Sequence, residues 1–519
     1  MKLVSVEEMK AIEAAANSSG LSYATLMKNA GEGVGRWVDS HPDPGRDHSV
    51  LGLIGSGNNG GDTLVALTFL STKGWKSTGC LVRPRPVDDP LVTGFLQAGG
   101  VLLQLDDDPG YTELSSLLKG VSVLLDGILG TGTRLPLDPL IAGVLDFVGK
   151  ELIANHSKPM AVAIDCPSGV DCHDGAAATE TIHADVTLTM AAAKLGMFTF
   201  PAYEYVGTVV PVDIGLSDSE GQLGAIKRQV IDDEFVRHAL PERRLDSHKG
   251  DFGTALLLVG SEQYTGAALL AGEAAYRVGA GLVIMGVVKQ VRAAIAGLLP
   301  EVTWIVLPDA GGYLAAEAAG IVLGNIERAN VVLAGCGWGL QDETHEFLHE
   351  LLPGCVSRFP PMVVDADGLK LLARIGAWQS ALPVGSVLTP HPGEMAILSG
   401  MTSEEVQEDR LGLAERSAKA WNQVVVLKGA LTVVAAPDGQ TAILPFATPA
   451  LARAGTGDVL AGMIAGLMAQ GVGGFTAACA GAYLHGRTGI AAAEDMGNTA
   501  SVLAGDLLIY LPGEISRIK

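Results

Sequence analysis

Short apolar runs recur along this chain, and most stop at a Gly, Asp or Asn that opens a helical stretch. Residues 49–54 run into GSGNNGGDTLVAL, 121–125 into Asp126 and GILGTGTRLP, and 160–164 into DCPSGVD from Asp165. Later, 254–259 leads to GSEQYTGAA, 330–334 to GCGWG, 362–364 to DADGL, 386–388 to TPHPGE and 424–427 to KGALTVV. Strands buried on both faces read as continuous apolar runs, and their alternation with helices predicts a parallel sheet. Ligands of such sheets gather beyond the carboxyl ends of the strands. The expected fold class is α/β, with the polar residues that follow the strands at the ligand edge.

A chain of 519 residues exceeds one ordinary core, so two domains are expected. Residues 216–248 turn polar and charged, which places the boundary near residue 222 and divides the chain into 1–222 and 223–519. The two halves share no repeat in sequence. Aromatics at 5% and a net charge of −22 argue against nucleic acid and anionic membrane surfaces as partners. Cys80, Cys166, Cys172, Cys336, Cys355 and Cys479 show no CxxC spacing and read as small buried residues of a reducing compartment. The first twenty residues carry acids where a secretory leader needs an apolar core, and no uninterrupted apolar run of membrane-spanning length occurs. A cytoplasmic protein is expected.

The most chemically loaded stretch is LARAGTGDVLAGM, residues 451–463. Gly455 and Gly457 can adopt positive φ, and the following helix, expected from Val459 to about Met468, aims its N-terminal amides at the loop. Asp458 at that mouth suits removal of a proton from a hydroxyl that attacks phosphorus. A plain helix-capping acid is the bland reading of the same residue. Gly55, Gly57 and Gly60 formally match GxGxxG. Asp62 would repel a pyrophosphate there, and Asn58 and Asn59 add amides that the dinucleotide fingerprint does not use. The next strand also leads to Arg83 and Arg85 instead of an acid. Asn59, Asp126 and Ser168 follow three successive strands and offer oxygen, the ligand that hard cations prefer. Asp165 at the same edge is the candidate acid/base. Small residues Ala30, Gly31 and Gly33 suit close helix packing or a partner, so a homo-oligomer is expected. In the second half His391 caps a helix or contacts substrate, Glu394 caps or organises magnesium through water, and Lys428 holds a nucleotide phosphate or caps a strand. No GxxxxGK[ST] occurs, which excludes a P-loop enzyme.

The joint order of LMKNAG, GNNGGD, DGILGTG, DCPSGVD, KLG, HKGDFG, YTGAA, RVGAGLV, DADGL, TPHPGE and AGTGDVLAG resembles the bifunctional NAD(P)H-hydrate repair enzymes over nearly the whole chain. The resemblance implies a Rossmann-like epimerase domain followed by a ribokinase-like, ADP- or ATP-dependent dehydratase domain. It implies NADHX and NADPHX (NADH and NADPH hydrated at C6 of the nicotinamide ring) as substrates. It assigns substrate contacts in the first half to Asn58, Asn59, Gly60, Gly61 and Asp62, to Gly130, Thr131, Gly132, Thr133, Arg134, Leu135 and Pro136, and to Asp165. It assigns K+ to Asn59, Asp126 and Ser168. In the second half it implies substrate contacts at Ala267, Gly337, His391 and Asp458, nucleotide contacts at Lys428, Gly429, Ala430, Leu431, Thr432 and Gly457, and use of Mg2+. Two departures stand out. Thr63 replaces the usual Gly after GNNGGD, and GCGWG with Cys336 and Trp338 replaces a GPGxG turn.

The chemistry that follows is phosphorylation of a ring hydroxyl, with Asp458 as base, and expulsion of phosphate by the ring nitrogen's lone pair. Asp165 would serve the epimerisation. Competing readings are a ribokinase-like small-molecule kinase and a non-catalytic, nucleotide-sensing first half.

Overall fold

The structure is a computed structural model, and it describes residues 1–42, 47–155, 158–217 and 221–519; the side chains of 355–358 are not described. Cys355 and residues 218–220 of the polar stretch thus lie outside the description. The chain separates into two compact units, Met1–Arg228 and Gln229–Lys519.

The first unit carries a seven-stranded parallel sheet. In chain order its strands are β1 (Ser49–Ile54), β2 (Lys76–Leu81), β3 (Val101–Gln104), β4 (Val123–Gly127), β5 (Met160–Ile164), β6 (Val186–Met190) and β7 (Thr208–Val212), and in space they run β3-β2-β1-β4-β5-β6-β7. β1 and β4 are buried on both faces, which is why they read as unbroken apolar runs. Helices α1 (Val6–Ser18), α2 (Tyr23–Ser40) and α3 (Asn58–Thr72) belong to this unit. A Cβ at Gly31 would lie 2.4 Å from Val65 Cβ and 2.6 Å from the Asp62 carbonyl oxygen, so α2 needs glycine to reach α3. Gly33 packs as tightly on Val212. The small residues of α2 therefore serve packing inside the unit, and the expectation of self-association loses its basis in them.

The second unit has a ten-stranded sheet whose edge strand β8 (Arg228–Val230) begins at the division. Then come β9 (Thr254–Leu258), β10 (Leu282–Val288), β11 (Thr303–Leu307), β12 (Val331–Ala334), β13 (Met362–Val364), β14 (Val387–Leu388), β15 (Val424–Leu427), β16 (Val433–Ala435) and β17 (Thr441–Ile443). The spatial order is β8-β17-β16-β15-β14-β13-β12-β9-β10-β11. Pairs from β15 to β11 are parallel, whereas β15-β16 and β16-β17 are antiparallel. Helix α4 (Thr265–Arg277) packs on α6 (Thr456–Ala469) so closely that a Cβ at Gly462 would lie 2.3 Å from the Ala271 carbonyl oxygen. α5 (Pro392–Ser399) follows β14, and α7 (Gly474–Met496) lies against α6. Among the described residues no helix is long and apolar enough to cross a membrane.

Candidate functional site

In the first unit β1, β4 and β5 are neighbours, so Asn59, Asp126 and Ser168 meet at one edge. Asp126 is 4% exposed and accepts from the Ser168 amide (2.8 Å) and hydroxyl (2.5 Å). Ser168 Oγ accepts from the Leu129 amide at 2.9 Å, and Asn59 Nδ2 donates to the Leu129 carbonyl at 2.7 Å. Burial raises the Asp126 pKa, opposed by the Ser168 hydrogen bonds. Among the described residues Asn59 Oδ1 has no hydrogen-bond partner, so an all-oxygen donor set of amide, carboxylate and hydroxyl is present, which fits a hard monovalent cation.

Asp165 follows β5 at φ +65°, a strained conformation for a residue other than glycine. Its Oδ1 accepts from the Met190 amide at 3.0 Å, from Thr189 Oγ1 at 3.4 Å, and in a close ion pair from Lys194 Nζ. Lys194 is 1% exposed and also donates to Thr189 Oγ1 at 3.0 Å. All three contacts fall on Oδ1. Beside this group lies a cavity of about 350 Å³ lined by Glu13, Tyr23, Met27, Asn58, Asp62 and Met190, among others. Burial, then Asp165 and Glu13, push the Asp62 pKa well above its ordinary value of 3.8.

Asn58 to Asp62 lie in the first turns of α3, so the loop is shorter than its glycines suggest. A Cβ at Gly55 would lie 1.9 Å from the Ile128 carbonyl oxygen, and one at Gly60 would lie 2.0 Å from that of Gly55. These glycines admit backbone, and Arg85 donates to the Gly55 carbonyl at 2.9 Å while pairing with Asp89 at 2.7 Å. The GxGxxG match is therefore a packing device here. Gly130 lies against Asn59, and Thr133 is buried with its hydroxyl on the Gly130 carbonyl at 2.9 Å. Thr131 is half-buried, and Gly132 and Arg134 are exposed. Leu135 and Pro136 line a different cavity, with Ala177 and Ala178, so they do not share the Asp62 cavity. Thr63 is fully buried, with its hydroxyl on the Asn59 carbonyl at 2.8 Å and its side chain in the space that a Cβ at Gly127 would fill. That departure is absorbed inside the fold.

In the second unit α6 starts at Thr456, three residues before Val459, because Gly455 at φ +92° turns the chain into it. Gly457 is already helical and lacks positive φ. It lies beside Lys428 Nζ, which a Cβ there would meet at an ordinary contact distance of 3.4 Å. Asp458 sits in the first turn; burial and then Asp365 raise its pKa to about 6. Asp365 at the end of β13 is 1% exposed. Its Oδ1 accepts from Lys428 Nζ (2.6 Å) and Thr389 Oγ1 (2.7 Å), and its Oδ2 from Cys336 Sγ (3.8 Å). Burial opposes the Lys428 charge, but Asp365 and Glu394 outweigh it and raise its pKa. The ligand atoms of Cys336, Asp365 and Asp458 lie within 4.8 Å of one another.

His391 caps α5: its Nδ1 accepts from the Gly393 and Glu394 amides at 3.0 and 3.2 Å. Burial lowers its pKa, and half of the ring remains exposed. Glu394 returns a bond from the His391 amide at 2.9 Å and lies 3.9 Å from both Lys370 and Lys428. It is thus a capping acid set between two lysines. Gly337 at φ +66° abuts Ala267, whose Cβ would be 2.8 Å from a Cβ there. Trp338 is fully buried, donates to the Leu258 carbonyl at 2.7 Å and packs edge-on to Phe347, so it stays out of the site wall. Lys428 to Thr432 form a turn with Leu431 at φ +54°, Ala430 exposed and Thr432 Oγ1 on the Gly429 carbonyl at 2.8 Å. Arg410 braces that turn through the Leu427 and Lys428 carbonyls at 3.1 and 3.3 Å.

Sequence reasoning did not single out Asp365, Cys336, Thr389, Arg410 or His485 as site residues, nor Glu13 in the first unit. Asp365 was visible as a strand-end acid. His485 carried no signal: it is buried in α7, Nε2 lies 2.9 Å from the Thr456 carbonyl, and burial lowers its pKa to about 4.

Each unit thus offers carboxylates at the carboxyl ends of a parallel sheet, the arrangement of an α/β enzyme acting on small polar molecules. Residues 255–512 match the family described as NAD(P)H-hydrate dehydratase, and residues 23–196 match the YjeF-related protein N-terminus family. The bifunctional NAD(P)H-hydrate repair enzyme Nnr of Moorella thermoacetica is 36% identical over 100% of this chain and 97% of its own length. The Escherichia coli enzyme of the same name is 34% identical over 96% and 90%. A crystal structure of ADP/ATP-dependent NAD(P)H-hydrate dehydratase from Bacillus subtilis, co-crystallized with ATP/Mg2+, is 33% identical, covers 56% of this chain and 98% of that one, and superposes with a TM-score of 0.47. The chain belongs to the bifunctional NAD(P)H-hydrate repair enzyme family.

Proposed function

We propose that this protein repairs hydrated NADH and NADPH, epimerising the R and S hydrates in residues 1–222 and dehydrating the S form in residues 223–519 at the expense of ADP or ATP. One observation carries the dehydratase reading: a base with its pKa raised to about 6 stands in the first turn of a buried helix, beside a lysine paired with Asp365. The Asp458 carboxylate takes the proton of the C6 hydroxyl as it attacks the terminal phosphorus of the nucleotide. Amides at the N-terminus of α6 and the Lys428 ammonium stabilise the transferring phosphoryl group. The ring nitrogen's lone pair then expels phosphate as the C6–O bond breaks, and loss of a proton from C5 of the resulting iminium restores the ring double bond of NADH. Ala267, Gly337 and His391 form the substrate wall, and the turn Lys428 to Thr432 with Gly457 holds the nucleotide. Mg2+ would arrive with the nucleotide and neutralise phosphate charge, with Asp365 and Asp458 as the carboxylates near it.

In the first unit Asp165 is the acid/base, with Lys194 as its ionic partner. Asn59, Asp126 and Ser168 would hold K+, whose charge would steady this carboxylate-rich edge. The protein acts on small molecules in the cytoplasm, with no nucleic-acid or membrane partner.

The test is recovery of NADH absorbance from a mixture of both NADH-hydrate epimers with ADP, with ATP and with neither. Full recovery with one nucleotide supports both activities and names the donor. Recovery that stalls at the spontaneous epimerisation rate removes the epimerase. A stable phosphorylated product in place of NADH overturns the dehydratase.

A further inference from the structure

Asp62 is 9% exposed and lines the cavity beside Asp165, and among the described residues its carboxyl has no hydrogen-bond or ion-pair partner. A buried carboxyl without a partner is costly unless it holds a proton or awaits a ligand. The surroundings favour the proton. Glu13 and Asp62 line the cavity and Asp165 acts on both from close by, while Lys194, the cation that acts on Asp62, is itself bound to Asp165 Oδ1. Both Asp62 and Glu13 have raised pKa values, through burial first and then through Asp165. The two carboxyls are thus unlike: Asp165 is ion-paired to Lys194, with its three contacts all on Oδ1, whereas Asp62 lines the cavity, where burial favours its protonated form.

We infer that Asp62 is a second catalytic residue of the epimerase, working on the face of the ring opposite Asp165; this rests on the epimerase reading above. The neutral Asp62 carboxyl gives its proton to the C6 hydroxyl oxygen. The C6–O bond breaks with its electron pair on oxygen, water leaves, and the N1 lone pair forms the N1=C6 iminium. A water molecule bonds to C6 from the other face, and its proton passes to Asp165. The proton has moved from one carboxyl to the other while the hydroxyl has changed face. Before the next turnover in the same direction the proton passes back from Asp165 to Asp62 through solvent water; the reverse epimerisation uses Asp165 as acid and Asp62 as base. Nothing is oxidised or reduced. A pair of carboxyls of different proton affinity is what such an exchange needs, and it explains why a buried acid here is left without a structural partner.

The experiment uses the full-length protein and the separated R epimer of NADHX in H2(18)O, without nucleotide, so that the dehydratase is silent. Epimer ratio is followed by chromatography and 18O by mass spectrometry. Wild-type protein is expected to place one solvent oxygen at C6 per inversion. Catalysed inversion that retains the original oxygen overturns the inference whatever any variant does. Absence of catalysed inversion in the wild type overturns the epimerase reading itself. Asp62→Asn, which mimics the shape of a neutral carboxyl, is expected to slow inversion about 10²–10⁴-fold, with 18O uptake falling in step, and Asp62→Glu is expected to restore part of it. Inversion at the wild-type rate in Asp62→Asn refutes the catalytic role, as does loss of rate in both variants through a raised KM alone.

Discussion

Replacing Asp458 by Asn separates function from stability, because the two should change in opposite directions. The carboxyl sits in the first turn of α6 with its pKa raised from 3.8 to about 6, by burial and by Asp365. Between those values the folded protein binds more protons than the unfolded chain, so this group's contribution to stability falls as pH rises from 3.8 through 6. At pH 7.5 the ionised carboxylate therefore costs the fold up to about 3 kcal/mol. An amide of the same shape removes that charge. Asp458→Asn is expected to unfold a few degrees above wild type at pH 7.5, and the gap should close near pH 4, where both chains are neutral at this position. Loss of the base should lower kcat about 10²–10⁴-fold, equivalent to about 3–5 kcal/mol of barrier. The assay pair is NADH recovery from the S hydrate and thermal unfolding at both pH values. In the wild type kcat/KM should fall as pH drops through about 6. Turnover within tenfold of wild type, or a lower melting temperature at pH 7.5, refutes the assignment.

Asp165→Asn, which tolerates φ +65° better than alanine would, is expected to reduce catalysed epimerisation to near the spontaneous rate and to leave dehydration of purified S hydrate unchanged; chromatography of the epimers checks it. Lys428→Met leaves the buried Asp365 carboxyl without its ammonium partner, so a loss of about 3–5 kcal/mol is expected, read from urea unfolding of the full chain. His485, held neutral by burial with its pKa lowered to about 4, contributes stability that is present above pH 6.5 and is lost as pH falls toward 4. Its ring proton resonances should therefore stay those of a neutral imidazole at pH 5.5, and a normal titration near 6.5 contradicts the burial. Replacing K+ by a large organic cation is expected to slow epimerisation and leave dehydration intact, as coupled assays of the two activities will show.

The candidate site was legible wherever chemistry lies next to a strand end in the chain. Asp126 and Asp165 announce themselves because a polar residue directly after an apolar run emerges at the ligand edge of a parallel sheet, and Asp458 because it follows a Gly-Thr-Gly turn at the mouth of a helix. The fold class followed from the same alternation, and the separation at Arg228/Gln229 falls within the polar stretch 216–248. What sequence could not carry was pairing across the sheet. Lys194 comes 29 residues after Asp165, and Lys428 is 63 residues from Asp365. No local pattern ties an ammonium to one particular carboxylate at such distances, since the partner depends on which strands become neighbours. The same limit hid His485, an α7 residue that reaches the start of α6, and Arg410, which braces a turn on another element. Asp62 and the two asparagines already spoke against pyrophosphate at GxGxxG; what the glycines do instead, admitting backbone at Gly55 and Gly60, only packing tells. The residues by themselves determined the α/β class, the acids and the family; the tertiary structure decided which acids are paired, which stay neutral and which have only a cavity to face, because proton affinity depends on burial and on neighbours that the fold supplies.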